Sequence, residues 1–169
     1  MLALQHAARV QAILTRGADR SGLQYAGPRP PNRSRIMIRS GVFASLTSSA
    51  MGRVLLSLKP DFEARSWVRR ANAEDGDPMH RIGESEMLAI LETVRRKGYA
   101  ETANTQSPDL GAFAIAVASP LDATPLAVSV SLPIERMTSK RELILEQLFQ
   151  LREQFSANRL GDDDEWLPV

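Results

Sequence analysis

Two serines set two residues apart, Ser129 and Ser131, and a run of three hydroxyls, Thr47, Ser48 and Ser49, are the side chains here whose types and spacing suit ligand chemistry. Hydroxyls at i and i+2 of an extended segment face the same side, where each can donate to or accept from a bound group. Hydroxyls just ahead of a helix neighbour backbone N–H groups that have no partner within it. With the helix dipole, those groups form a site for an anion such as a carboxylate. Plain N-capping explains any single one of the three without a ligand. Bond-making has less to work with. There is no cysteine, hence no thiolate nucleophile and no cysteine metal site. The two histidines, His6 and His80, lie in no cluster with metal-ligand spacing. No serine sits in a Gly-x-Ser-x-Gly elbow, and no Walker lysine or Gly-x-Gly-x-x-Gly cradle awaits a phosphate. No metal and no cofactor is expected; small residues, hydroxyls and a helix start equip a chain for binding.

The two serines belong to a hairpin, Gly111 to Pro133, both halves of which alternate with period two. Phe113, Ile115 and Val117 share one face with Leu126, Val128, Val130 and Leu132. Ala112, Ala114 and Ala116 share the other with Ala127, Ser129 and Ser131. The bulky face suits packing on helices, and the small face leaves room for a small ligand. An ordinary antiparallel sheet whose small, polar side faces water fits the same pattern.

The remaining elements follow from periodicity and punctuation. Met1–Leu4, Val10–Leu14 and Arg35–Arg39 read as strands, with a Gly- and Pro-rich loop over 16–33. Leu46–Leu58 has helical spacing behind the three hydroxyls. Asp61–Arg70 is a second, weaker helical stretch, and Ala71–Pro78 a polar loop. Ser85–Lys97 is a helix with the stripe Met87, Leu91 and Val94. Arg95, Arg96 and Lys97 suit the negative end of its dipole and Gly98 its left-handed stop. Tyr99–Asn104 is extended. Ser139 and Glu142 form a capping box for a last helix with the stripe Ile144, Leu148, Leu151 and Phe155. This order gives an α+β fold, with helices on one side of a mainly antiparallel sheet.

Length and composition agree with one domain: 169 residues, 43% hydrophobic and 24% charged. With 21 basic and 20 acidic side chains the chain has no general attraction for nucleic acid or membrane. No apolar run reaches the roughly 18 residues of a membrane span, and the N-terminus lacks the layout of a secretory signal. A cytoplasmic location is the expectation.

Three stretches keep their order and spacing over nearly the whole chain: GVFASLTSSAMGRVLLS at Gly41–Ser57, VRRKGYA at Val94–Ala100, and the hairpin GAFAIAV with its exit PLAVSVSLPIERMTS. Together they resemble the effector-binding domain of IclR-type bacterial transcriptional regulators. In the first, Gly41, Leu46, Ala50, Gly52, Leu55 and Leu56 match the family's Gly-x-x-x-Pro-Leu-His-Ala-Thr-Ala-x-Gly-Lys-Ala-Leu-Leu-Ala, and Arg53 stands in place of lysine. The second is similar to Val-Arg-x-x-Gly-Tyr-Ala. The resemblance implies a GAF-like fold with a curved antiparallel sheet of about six strands. It places the effector-binding domain at 1–161 and an acidic tail at 162–169. The winged helix-turn-helix that contacts DNA is expected outside this chain, and the assembly to be a homodimer or homotetramer.

The family's pocket carries over residue by residue. Its apolar contact on the third strand falls on Ile36, with Met37 beside it. Its helix-start contacts fall on Ala50 and Met51, with Ser49 adjacent, and its two strand serines on Ser129 and Ser131. Its acidic cluster corresponds to Asn104, Thr105 and Gln106, its pocket cysteine to Ala114 on the face shared with Ala112, and its helix-leading His and Pro to Thr47 and Ser45. Asn104 in place of a carboxylate removes a charge that would repel an acid, Ala114 widens the cavity, and Met51 adds a flexible apolar wall. The expected effector is a small organic acid, aliphatic or aromatic. Two other classes fit the sequence: a ligand-free dimerisation module whose pocket has closed, and a small hydrolase using Ser129 or Ser131 as nucleophile.

Overall fold

The computed structural model describes residues 45–74, 81–106, 108–118 and 125–158, together with strand backbone at 11–16 and 25–26. Five strands pair antiparallel throughout: β1 (Gln11–Arg16), β2 (Tyr25–Ala26), β3 (Ala100–Ala103), β4 (Leu110–Val117) and β5 (Leu126–Pro133), in the order β2-β1-β5-β4-β3. The helices are α1 (Ala50–Ser57), α2 (Asp61–Glu74), α3 (Glu84–Lys97) and α4 (Met137–Asn158). The fold is α+β, as expected. The strands expected over Met1–Leu4 and Arg35–Arg39 lie outside the described residues. Tyr25 and Ala26 pair with Leu14 and Ile13 inside the stretch read as loop, giving the free edge of β1 a short partner.

The β4–β5 register sets Phe113 opposite Val130, Ile115 opposite Val128 and Val117 opposite Leu126. Their bulky face is buried against Met137, Ile144, Leu148 and Leu151 of α4. Helices cover the other face as well, which corrects the expectation of helices on one side only. Ala50, Met51, Val54 and Leu55 of α1, with Val94 of α3, pack on Ala100, Ala112, Ala114 and Ala127. A face of alanines is apolar, so it too leaves water, and its lack of bulk lets a helix backbone come close. A third cluster, Leu56, Ala64, Val68, Met87 and Leu91, joins α1 to α2 and α3.

Helix ends differ from the sequence reading where side chains compete for the backbone. Of the three hydroxyls read as capping candidates, Ser49 caps α1, which starts at Ala50 and not at Leu46: its hydroxyl accepts from Gly52 N at 2.9 Å. Ahead of it, Ser45 Oγ accepts from Thr47 N at 3.3 Å and Ser48 N at 3.2 Å, holding those residues in a turn. Gly52 faces the Leu46 backbone so closely that a Cβ would collide with it. α2 runs on to Glu74, through residues read as loop, because Arg70 pairs with Glu74 and Asn72 bridges both backbone groups of Ile82 at 2.8 and 3.1 Å. α3 ends as expected on Gly98, at φ 76, with its N–H on Val94 O. Arg95 of the basic triplet donates to Ser57 O and Lys59 O and pairs with Asp61, tying α3 to the α1–α2 connection. The Ser139–Glu142 capping box does not form. A 3-10 turn at Ile134–Arg136 runs straight into α4, leaving Ser139 inside the first turn, where its hydroxyl donates to Arg136 O.

Phe113 is fully buried and Phe62 on α2 is 73% exposed. In urea denaturation, Phe113→Ala is expected to lose about 3–5 kcal/mol, while Phe62→Ala stays within about 0.5 kcal/mol of the parent.

Candidate functional site

The antiparallel registers line up rows of residues across the small face. One row runs Thr102, Ala112, Ser131 to the register position of Gln11, and the next runs Ala100, Ala114, Ser129 to that of Ile13. Ala116 and Ala127 begin a third. α1 lies over these rows, with Ala50 and Met51 buried against the alanines. Its lead-in turn is joined to the end of β3, where Thr105 Oγ1 donates to Ser48 O at 2.6 Å. The start of α1 therefore lies at the end of the sheet that carries the Thr102 row.

The hydroxyls here divide into two kinds. Those of Thr47, Ser49 and Ser57 are buried and engaged: Thr47 with Ser45 Oγ, Ser49 with Ser45 O and Gly52 N, Ser57 with Val54 O. Those of Thr102 and Ser129 are also buried, at 6% and 1% exposure, and make no hydrogen bond among the described residues. Buried polar groups are nearly always paired, so two such hydroxyls on one sheet face stand out. Ser131, in the Thr102 row, is half-buried. Nearby, Arg53 on α1 donates its Nε to Thr47 O at 2.8 Å. Burial pulls its guanidinium below the ordinary value, and Glu86 on α3 pushes it back up.

Of the site residues expected from sequence, the structure brings together Ser49, Ala50, Met51, Ala112, Ala114, Ser129 and Ser131. Ile36 and Met37 lie outside the described residues. Asn104 is exposed, in the left-handed region at φ 57, and its Oδ1 accepts from Asp109 N at 2.9 Å. It shapes the β3–β4 loop, because a short polar side chain tolerates that conformation and closes the turn on itself. Thr102 takes the inward position two residues earlier. The signal available for it is alternation: Ala100 and Thr102 share a parity, and Ala100 pairs with Ala114.

A concavity of about 320 Å³ lies between α2 and α3, lined by Asp61, Arg65, Ser85, Leu88, Ala89, Glu92 and Arg95. Its charges largely engage each other or nearby groups, Asp61 with Arg95 at 2.8 Å and Arg65 with Glu84 at 3.6 Å. It offers no orphaned buried group. Among the described residues, no His, Cys, Asp and Glu side chains gather as a metal site, and no helix is long and apolar enough to cross a membrane.

The comparisons with known proteins bear on the same architecture. No curated protein matches the sequence. The effector domain of the transcriptional regulator IclR from Acinetobacter sp. ADP1 superposes with a TM-score of 0.81 at 19% identity, over 92% of this chain and 90% of that one. The C-terminal domain of the E. coli transcriptional regulator KdgR gives 0.72 at 20%, over 94% and 93%. Thermotoga maritima IclR gives 0.78 at 18%, over 94% of this chain but 64% of the regulator. At these identities the likeness speaks for the fold. The family described as bacterial transcriptional regulator IclR C-terminal matches residues 28–157. The chain belongs to the IclR family of bacterial transcriptional regulators, a family of regulators and not of enzymes, and carries its C-terminal effector-binding domain.

Proposed function

We propose that the small face of the sheet, at the start of α1, binds a small organic acid. The observation that carries this reading is the pair of buried hydroxyls, Thr102 and Ser129, that make no hydrogen bond among the described residues. Leaving such a group unpaired costs about 1–3 kcal/mol, a cost that a ligand's oxygen atoms remove. In this reading the carboxylate meets the hydroxyls of Ser129, Ser131 and Thr102 and the first N–H groups of α1 behind Ser49. The body of the acid lies against Ala50, Met51, Ala112 and Ala114, with Ile36 and Met37 as further walls.

The acid then acts on assembly. A homodimer or homotetramer of cytoplasmic regulators changes its protomer packing to the extent that the acid prefers one packing over the other. DNA is contacted by a winged helix-turn-helix outside residues 1–161, and the acidic residues 162–169 form a tail. A second reading, a ligand-free association module, is favoured by one observation: Ala114 and Ala127 have no exposed surface under α1. In the acid-binding reading α1 gives way to admit the ligand.

A thermal-shift panel of benzoate, propionate and their neutral amides separates the two. An acid at about a thousand times its Kd stabilises the fold by roughly 4 kcal/mol, and the amides do not. No shift with any acid removes the sensor reading. Ser129→Ala is expected to leave the ligand-free Tm unchanged or higher, since its hydroxyl has no partner to lose among the described residues, and to weaken the acid response about tenfold or more. Ala114→Leu forces extra bulk between the sheet and α1. It is expected to cost about 1–3 kcal/mol in urea denaturation and to abolish the response.

A further inference from the structure

Two successive carbonyls in the lead-in to α1 are held by side chains. Arg53 Nε, from α1 itself, holds Thr47 O, and Thr105 Oγ1, from the β3–β4 loop, holds Ser48 O at 2.6 Å. Hydrogen bonds link the two described ends of that loop. Asn104 and Asp109 both take positive φ, at 57 and 58. Asn104 N donates to Leu110 O at 3.0 Å, and Asp109 N to Asn104 Oδ1 at 2.9 Å. Asn and Asp are the non-glycine types that tolerate this conformation, and these two hydrogen bonds close the loop around it. Asp109 O also accepts from Ile134 N at 2.9 Å, where the 3-10 turn leading into α4 begins. One loop thus hydrogen-bonds to the start of α1, which covers the small face, and to the lead-in of α4, which covers the bulky face.

We infer that Thr105 is the positioning residue for the start of α1, and that the β3–β4 loop transmits that position across the sheet to Ile134. The link to an effector rests on the acid-binding reading above. A carboxylate that draws the first turn of α1 towards it moves Ser48 O, hence Thr105, hence the loop that holds the lead-in of α4. Neither helix contributes a side chain to this route, so it operates whatever the body of the acid.

The test is amide hydrogen exchange on the ligand-free chain, comparing the parent with Thr105→Val, which keeps the shape and loses the hydroxyl, and Thr105→Ser, which restores it. In Thr105→Val, the amides of Ser49–Arg53 and of Ile134 are expected to exchange about tenfold faster. In Thr105→Ser they return to the parent rate, and the paired amides of β4 and β5 stay unchanged throughout. Parent-like exchange of Thr105→Val at either place overturns the inference. The same three proteins are titrated with benzoate and propionate. Faster exchange in a chain that binds no acid removes the acid-binding reading and leaves the positioning role. Acid binding with unchanged exchange does the reverse.

Discussion

The antiparallel register that sets Ala112 opposite Ser131 and Ala114 opposite Ser129 decides how near α1 can come to the sheet. A slip of one residue would exchange the faces, presenting Phe113, Ile115 and Val130 to α1 and the alanines to α4. α4 supplies large residues, Ile144 and Leu148, to a face that is itself large. α1 supplies Ala50 and Met51 to a face that has almost no side chains beyond Cβ. Each face takes the helix whose bulk it lacks or tolerates, and this difference fixes the layering of the whole domain.

The same register gathers polar groups where the packing is closest. Between the alanines stand Thr102 and Ser129, buried and without partners among the described residues. Their contrast with Ser49 and Ser57 is the central physical point. Each of those two hydroxyls gives its one O–H to a backbone carbonyl, Ser49 to Ser45 O and Ser57 to Val54 O, and has no donor left for a carboxylate. The strand hydroxyls have found no such outlet: Ser129 lies on β5, whose backbone is laddered to β4 on one side and β1 on the other, and Thr102 on β3, at the edge of the described sheet, makes no hydrogen bond among the described residues. A hydroxyl on a central strand is therefore available in a way that a hydroxyl at a helix start is not.

Local rules made most of this legible from the residues alone. The alternation in GAFAIAV and LAVSVSL specifies both faces of the hairpin, and Gly98 after a basic last turn specifies where α3 stops. Legibility ends where a distant group decides. Ser139 and Glu142 have capping-box spacing, but Pro133 leads the chain into a 3-10 turn that places the helix start earlier. Ala71–Glu74 reads as loop until Asn72 finds Ile82. Thr102 lies within the four-residue β3 and Asn104 just past its end, where a positive φ turns the chain away, and that boundary depends on the pairing with β4 and not on residue type. The burial of the alanine face could not be read at all without α1 laid upon it.

The most direct test is an amide NMR titration of the 15N-labelled chain with benzoate. The account predicts the largest shifts at Ser129, Ser131, Thr102 and the first turn of α1, saturating with a single Kd. Shifts confined to the cleft between α2 and α3, at Arg65, Ser85 and Glu92, would show that an acid binds elsewhere and contradict the assignment of the small face as the effector site.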